Sequence, residues 1–324
     1  MEQTRATVYF YIPQKVTILD VSGVLQVFEE AKRLGFSYHF NFVGSQLVVE
    51  SSSGLTISSL KDFRETNPSE NDIIFISGSN TFQMFDSFED QAFFEWINKA
   101  NCKKTTICSI CNGAYLIAKA GLLNEKECTT HWNFIEKLQT YFPLLKLQNG
   151  ILFNKSDNIY TSAGVITGID LALFLIEERH GKMIANKIAK DLVVYKRRHS
   201  KDEQDSVYLQ NRSHQDEKIH IVQDWIIHNL EKSSTIQSLS ELVHISPRNL
   251  TRTFKKQTGV TIAEYRTKLR VEKAKSLLSN SDYKIDYIAN LCGYKTSKQL
   301  RVIIEKYYDS LPSKIKKRMS QNDY

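Results

Sequence analysis

The sequence predicts two domains of different fold class: an α/β domain with a parallel sheet covered by helices, followed by an all-α domain. A chain of 324 residues exceeds what one hydrophobic core comfortably accommodates. Short β-type runs alternate with helical stretches in the first part, as in βαβ units, and only helical patterns follow. The charge changes along the chain as well, because residues 1–195 carry 18 Lys and Arg against 21 Asp and Glu, whereas residues 196–324 carry 25 against 15.

The α/β pattern begins with the run ATVYFYI, a predicted strand, and continues with VSGVLQVFEEAKRLG, a predicted helix. The runs YHFNFVG, NDIIFISG and KTTICSIC are further strands, and QAFFEWINKA is a helix between the last two. Their continuous apolar character is typical of strands that are buried on both faces. Helices are also predicted at residues 113–120 and 168–179.

The remaining residues divide into a connection and a helical domain. Residues 197–216 are polar and nearly free of aliphatic side chains, so we interpret them as a linker between domains at 1–196 and 217–324. Within the second domain, Leu239 to Leu250 parallels Ile288 to Leu300, each a short helix, a tight turn and a second helix. Two helix-turn-helix units in tandem are therefore predicted, with a last basic turn in PSKIKKRM.

Composition limits the kinds of binding partner and the cellular compartment that we expect for this protein. A basic domain attracts polyanions, which are nucleic acids or anionic membrane surfaces. No apolar run approaches the roughly 20 residues of a spanning helix, and the first residues lack a signal-peptide pattern. The five cysteines form an odd set that does not resemble a secreted disulfide framework. We therefore expect a cytoplasmic protein with reduced thiols.

One helix in the basic domain has the features of a DNA-reading element. Ser246 is an N-cap candidate, Pro247 suits the first helical position, and Ile245 and Leu250 have the spacing of a hydrophobic staple. Leu250 and Phe254 then form the buried stripe. The residues predicted to face outward are donors that can read bases or hold phosphates: Arg248, Asn249, Thr251, Arg252, Lys255 and Lys256.

A charged, solvated face is the ordinary alternative for such a helix. Two observations favour double-stranded DNA as the partner: acidic residues are missing from residues 246–260, and the helix lies in a tandem helix-turn-helix pattern. The run SLSELVHISPRNLTRTFKKQTGVTIAEYRTKLRVEKAKSLL, with IDYIANLCGYKTSKQL after it, resembles the AraC-type DNA-binding domain. The resemblance implies that the helices from Pro247 and from Ser297 enter successive major grooves.

The second unit departs from the family pattern. A Phe-x-Arg-x-x-Phe-Lys-like run and a Gly are usual there, and this chain instead has Leu300, Val302, Ile304, Glu305 and Asp309. The remaining candidate contacts are Lys295, Lys298, Gln299 and Arg301. We predict that the first helix supplies most of the base reading and that the second mainly positions the protein.

The α/β domain contains a candidate ligand site at Cys111. The run TTICSICNGAYLIAKAGLL is a strand that ends in this cysteine and turns into a helix, which places the side chain at the sheet edge where α/β proteins bind ligands. A thiol beside a helix N-terminus is expected to favour the thiolate. His131, in the run ECTTHW, is its candidate partner.

This domain resembles the ThiJ/PfpI superfamily, which implies a flavodoxin-like parallel sheet sandwiched by helices. LDVSGVLQVF, DIIFISGS, SICNGA and TTHW carry the resemblance, and with YTSAGVITGIDLALFLIE the whole chain resembles GlxA-type regulators. The residues placed in the ligand site on this basis are Asp20, Gly78, Cys111, Asn112, His131 and Trp132. The departures from the family pattern are Val24, Ser77, Ser79 and Asn112. The resemblance also implies a homodimer formed through this domain and an effector that is amine-bearing.

Three functions remain open at this point. We predict a regulator that is not an enzyme and that responds to a small metabolite, with no cofactor and no metal. The alternatives are a cysteine hydrolase or amidase that uses Asp20, Cys111 and His131, and a thiol sensor that uses Cys108 and Cys111. In the preferred interpretation, the set of Asp20, Cys111 and His131 is vestigial and lines a binding site.

Overall fold

A computed structural model describes residues 5–80, 90–194, 197–198, 200, 202, 204, 206–280, 283–308 and 311. The chain forms two compact units, residues 1–204 and residues 205–324. No helix in the described ranges is both long and apolar enough to cross a membrane.

A mostly parallel sheet forms the centre of the first unit. The described strands of the unit are β1 (Ala6–Tyr11), β2 (Tyr38–Gly44), β3 (Val49–Glu50), β4 (Thr56–Ile57), β5 (Lys61–Asp62), β6 (Ile73–Ile76), β7 (Thr106–Ile110), β8 (Glu127–Cys128), β9 (Lys146–Leu147), β10 (Phe153–Ser156) and β11 (Ile159–Ser162). The pairs β3–β4 and β8–β9 form two small separate sheets. The main sheet has the order β10-β11-β7-β6-β1-β2-β5, and only the pair β10–β11 within it is antiparallel. The predicted α/β fold class and the strands read from β-type runs are confirmed.

Helices cover both faces of this sheet. They are α1 (Ile18–Arg33), α2 (Gln91–Cys102), α3 (Ala114–Lys119), α4 (Ile135–Tyr141), α5 (Val165–His180) and α6 (Lys182–Asp191). Alternate residues of the central strands point to opposite faces. Phe10 packs in the core that α1, α5 and α6 cover, whereas Tyr11 packs in the core that α2 and α3 cover.

Two predicted helices have different bounds in the structure, and two others, α4 and α6, were not predicted. Residues 111–113 form a 3-10 turn, and helix α3 begins only after it. Helix α5 begins earlier than predicted, at Val165, where the Gly164 N–H donates to Thr167 Oγ1 at 2.7 Å. Gly181, at φ 85°, then separates α5 from α6, which the apolar spacing did not reveal.

The second unit is helical throughout its described part. Its helices are α7 (Glu217–His228), α8 (Ile236–Leu242), α9 (Pro247–Thr258), α10 (Ile262–Asn280), α11 (Ile285–Leu291) and α12 (Ser297–Tyr308). The long helix α10 contributes Tyr265 and Leu269 to the core around α8 and α9, and Ala274 and Leu278 to the core around α11 and α12. Two helix-turn-helix units therefore share one helix, as the internal parallel predicted. The basic turn PSKIKKRM lies outside the described residues.

Arg270, in the middle of α10, ties the two helix-turn-helix units together. Its Nε donates to the Leu230 carbonyl at 2.8 Å, and its guanidinium lies 5.6 Å from the ring centroid of Tyr294. Gly293, at φ 76°, leaves room for it, because a Cβ there would lie 2.4 Å from Arg270 Nη2. Burial lowers the pKa of Arg270. Within residues 205–324, hydrogen bonding and packing thus fix how the two helix-turn-helix units are oriented relative to each other.

Described residues of the predicted linker make specific contacts. Arg197 pairs with Glu177 at 2.6 Å in the first unit. In the second unit Asn211 Nδ2 donates to the Thr258 carbonyl at 2.7 Å, at the end of α9, and Arg212 pairs with Asp224 at 2.6 Å. The polar composition gave no sign of this docking, since ion pairs and amide bonds leave no apolar period. The domain boundaries stay a prediction.

Candidate functional site

The turn after strand β7 holds Cys111 in a strained conformation. Cys111 has φ 56°, in the left-handed region that side chains other than glycine rarely adopt. Two residues later, a Cβ on Gly113 would lie 2.4 Å from the carbonyl oxygen of Ile76, the last residue of β6. The turn is therefore pressed against the end of the neighbouring strand, and the cysteine is held at the carboxyl edge of the sheet.

Gly78 is the point where three of the predicted site residues meet. A Cβ at this position would lie 2.6 Å from Asn112 Oδ1, 2.7 Å from Asp20 Oδ2 and 3.0 Å from Cys111 Cβ. The Gly78 N–H donates to Asp20 Oδ2 at 2.9 Å. Helix α1, the loop after β6 and the turn after β7 thus bring together Asp20, Gly78, Cys111 and Asn112.

The side chain of Asn112 is fully engaged by the loop that follows Gly78. Its Oδ1 accepts from the Ser79 N–H at 2.9 Å, and its Nδ2 donates to the Ser79 carbonyl at 2.8 Å. These two hydrogen bonds fix the position of the loop beside Cys111. Asn112 therefore positions the site, and its proposed contact with a ligand remains a prediction.

Asp20 and Cys111 are both buried, and burial controls their protonation. Asp20 has no exposed surface, and burial raises the pKa of its carboxyl to about 7, although the bond from Gly78 opposes the shift. Burial, and then the nearby Asp20 charge, raise the pKa of the Cys111 thiol to about 12. The expected thiolate is therefore wrong: desolvation outweighs any stabilisation by a helix N-terminus, and α3 is only six residues long.

The Oδ1 atom of Asp20 is buried and has no hydrogen-bond partner. The hydroxyl oxygens of Ser77 and Ser109 share this property. An unpaired buried polar atom carries a free-energy cost, and such atoms are concentrated at sites that receive a ligand or a proton. Ser77 precedes Gly78 directly and was noted in the sequence only as a departure from the family pattern.

His131 is near the turn but is not bonded to the thiol. Its Nδ1 accepts from the Asn133 N–H at 3.3 Å, so Nε2 carries the proton, and burial lowers the pKa of the ring. The preceding residue provides the link to the site, since Thr130 Oγ1 donates to the Cys111 carbonyl at 2.8 Å. In the described part of the chain no hydrogen bond joins His131 to Cys111 or Asp20.

Trp132 is exposed beside His131, in the same loop. It is 63% exposed, and its ring lies 5.3 Å from that of His131. Its contact with a ligand stays a prediction. Gln204, which sequence reasoning missed, holds this loop: its Oε1 accepts from the Trp132 N–H at 3.0 Å, and its Nε2 donates to the Thr130 carbonyl at 3.1 Å. A single glutamine in a polar run carries no sequence signal for such a role.

The protonation of Asp20 gives a first testable prediction. The folded protein holds this proton up to about pH 7, whereas an unfolded aspartate releases it near pH 3.9. The folded state therefore binds more protons between these values, and its free energy of unfolding falls as the pH rises from about 4 to 7. Asp20→Asn, which mimics the protonated acid, is expected to remove this loss and to be more stable than the parent at pH 8, by about 4 kcal/mol.

Urea unfolding at pH 5 and pH 8 measures this difference. Asp157→Asn is the matched control, because the Asp157 side chain is 70% exposed and its left-handed φ of 57° suits asparagine. The control should follow the parent at both pH values. If Asp20→Asn and the parent lose the same stability between pH 5 and pH 8, Asp20 is ionised at its usual pKa.

Helix α9 has the start that the sequence predicted. The Ser246 side chain accepts from the Asn249 N–H at 3.3 Å, Pro247 occupies the first turn, and Ile245 packs in the same core as Leu250. Gly259, at φ 77°, ends the helix. All six predicted DNA-contacting residues of this helix are exposed: Arg248, Asn249, Thr251, Arg252, Lys255 and Lys256.

The second recognition helix, α12, presents a mixed surface. Lys295, just before it, and Lys298, Gln299 and Arg301 within it are exposed as predicted, but so is Glu305. Gln299 Oε1 accepts from the Lys295 N–H at 3.1 Å, which holds the start of the helix. Asp309 lies outside the described residues. DNA contact by either helix stays a prediction.

Together, these features define a class: a helix-turn-helix protein whose α/β domain holds a buried cysteine at the carboxyl edge of its sheet. The DJ-1/PfpI family matches residues 6–178, and a helix-turn-helix domain matches residues 239–318. The first match covers more than half of the chain, and the chain therefore belongs to the DJ-1/PfpI family. Its C-terminal part is an AraC-type helix-turn-helix domain.

Named relatives agree with this assignment. The chain is 27% identical over 205 residues to the HTH-type transcriptional regulator GbdR of Pseudomonas aeruginosa, which covers 63% of this chain and 55% of that protein. It is 22% identical over 277 residues to the HTH-type transcriptional regulator GlxA of Rhizobium meliloti, covering 83% and 82%. The chain thus spans little more than half the length of GbdR.

A solved structure shares the fold. It is a ThiJ/PfpI family protein from Pseudomonas syringae, with a TM-score of 0.51 and 18% identity, covering 79% of this chain and 90% of the other. The expected ThiJ/PfpI-like and AraC-type domains are confirmed.

Proposed function

We propose that this protein is a sequence-specific transcriptional regulator that binds double-stranded DNA and responds to a small molecule in its α/β domain. The observation that carries the proposal is the exposed face of α9. That face presents arginine, lysine, asparagine and threonine side chains and no carboxylate. Because it carries no negative charge, this face does not repel phosphates. Its hydrogen-bond donors can bind the acceptor edges of guanine and adenine.

The shared helix α10 supports binding by both helix-turn-helix units at once. Each unit has its own core, and Arg270 connects them through the Leu230 carbonyl and the Tyr294 ring. Two recognition helices whose relative orientation is already fixed lose less conformational entropy on binding than two that are loosely joined. We propose that α9 and α12 occupy successive major grooves.

The effector site, in this proposal, lies beside Asp20 and Cys111. Asp20 Oδ1 is a buried acceptor without a partner, and the pKa of this carboxyl lies near 7. A ligand with an N–H donor would satisfy the oxygen, and an ammonium group would pair with the ionised carboxylate. The exposed indole of Trp132 offers a face that attracts cations. An amine-bearing metabolite fits these groups.

Chemistry at Cys111 is not favoured as the function. A thiol with a pKa of about 12 is protonated at neutral pH, and His131 uses its Nδ1 to accept from the Asn133 N–H. Cys108 is completely buried on β7, which raises its pKa well above the usual range and disfavours a redox pair with Cys111. We propose that Asp20, Cys111 and His131 line a binding site. A cytoplasmic homodimer, formed through the α/β domain, completes the proposal.

Binding of the full chain to a pool of genomic DNA fragments tests the function. We expect selective retention of a few fragments, an affinity that falls with salt in proportion to the phosphates contacted, and a shift in affinity when extracted metabolites are added. Cys111→Ala should keep the metabolite response, whereas a nucleophile or thiol sensor would lose it. A protein that retains no fragment at low ionic strength, with or without metabolites, contradicts the proposal.

A further inference from the structure

The two recognition helices can be aligned residue by residue. Leu250 and Phe254 are the fully buried fourth and eighth residues of α9, and Leu300 and Ile304 are the fully buried fourth and eighth residues of α12. A shift of 50 positions superimposes both pairs. Each exposed residue of α9 therefore has a counterpart on α12 that faces the same way relative to its own core.

Some of these counterparts keep their chemical character and others do not. Arg248 and Asn249 correspond to Lys298 and Gln299, which keep a cation and a carboxamide at the first two exposed positions. In the next turn, α9 and α12 present different kinds of side chain. Arg252 corresponds to Val302, an aliphatic side chain, and Lys255 corresponds to Glu305, an anion.

Within the described part of the chain, folding does not explain Val302. It is 59% exposed, and it is not among the described residues that pack in the core of Leu300 and Ile304. A β-branched residue is also a weak helix former, so an exposed helical position gains nothing from it. Single exposed apolar residues are common in proteins, but this one lies at the register of Arg252, a predicted base-reading residue.

The neighbours of Val302 on the helix surface indicate how it would meet DNA. Lys298 lies one turn before it and Lys306 one turn after it, Glu305 lies three positions after it, and Arg301 precedes it in sequence, all exposed. Cations on this side can hold the phosphates that border a groove. The base edges would then face the apolar side chain between them.

The major groove offers one apolar feature to such a side chain, which is the 5-methyl group of thymine. We infer that Val302 reads a thymine methyl in the half-site bound by α12, at the position where Arg252 of α9 reads hydrogen-bond acceptors in the other half-site. The inference rests on the proposed function and adds a specific base to it. The operator is then asymmetric: one half is read by polar contacts and the other contains a thymine that is read by its methyl.

Replacing thymine by deoxyuridine, one position at a time, tests the inference, because it removes the methyl and leaves the hydrogen-bonding edge intact. The probe is the genomic fragment that the full chain binds most tightly. We expect one thymine whose replacement weakens binding of the parent protein by about fourfold, the value of one buried methyl group. Val302→Ala should bind the thymine and deoxyuridine versions of that position equally.

Ile221→Ala is the matched control, since Ile221 is an aliphatic residue of α7 that is 48% exposed. This variant should keep the parent's response to deoxyuridine. If every thymine can be replaced without effect, or if Val302→Ala keeps every response of the parent, the inference is wrong while the proposed function stands. A chain that binds no fragment overturns the proposed function and the inference with it.

Discussion

Replacing Arg248 and Arg252 together by alanine is expected to weaken specific DNA binding by about 100-fold, and to reduce the difference between cognate and random fragments. Both side chains are exposed on α9, on a face without carboxylates. Each bidentate contact to a purine edge contributes roughly 1–3 kcal/mol of discrimination. Leu250 and Phe254, which hold the helix in its core, are unchanged, so the fold should be retained.

Removing two cations from the second recognition helix should have a smaller and different effect. Lys298→Ala with Arg301→Ala is expected to weaken binding to all fragments alike and to lower the salt slope by about two. Glu305 on the same helix already opposes close approach to phosphate. We therefore expect this pair to position the protein, and the pair on α9 to read the bases.

Fluorescence anisotropy with one cognate and one random duplex, over a series of salt concentrations, separates these effects. Lys218→Ala with Lys232→Ala is the control, because both lysines are exposed in the same unit and lie outside α9 and α12. The test compares how much specific affinity each of the two double variants loses. If the Lys298 and Arg301 variant loses more specific affinity than the Arg248 and Arg252 variant, α12 is the principal reader.

Periodic elements were predicted well from the sequence. Helix α12 begins at Ser297, as the sequence predicted, and Leu300 and Ile304, four apart, are both buried. Helix α9 followed from its cap and its proline. Helix α6 was missed, since it is short and half polar and depends on the φ of 85° at Gly181 for its direction.

The sequence predicted which side chains meet at Gly78 but not their protonation, and their role in binding a ligand stays a prediction. The motifs around Asp20, Gly78 and Cys111 were each visible as short runs. The pKa of a buried group depends on what packs around it, and here three segments separated by more than thirty residues do so. Gln204 could not have been found at all, because its partners, Thr130 and Trp132, lie more than seventy positions away and no pattern links them.

Gly113 is the residue of the α/β unit at which one added methyl group should cost the most stability. A Cβ there would lie 2.4 Å from the carbonyl oxygen of Ile76 and 3.2 Å from that of Ser77. Both oxygens belong to the backbone at the end of the buried central strand β6. They cannot move aside as the atoms of a side chain could. Gly113→Ala is therefore expected to lower the free energy of unfolding by about 3 kcal/mol or more.

Two other glycines allow the cause of this loss to be separated. Gly35→Ala meets nothing within 4 Å but has φ 97°, so it measures the cost of the backbone conformation alone, about 1 kcal/mol. Gly78→Ala meets side-chain atoms of Asp20 and Asn112 and not backbone, so it should cost less stability than Gly113→Ala and should lose ligand binding because these site residues are displaced. Urea unfolding of the three variants, with the metabolite response of each, makes the comparison. If Gly113→Ala unfolds no more easily than Gly35→Ala, the turn after β7 is not pressed against β6, and the strained position of Cys111 loses its physical basis.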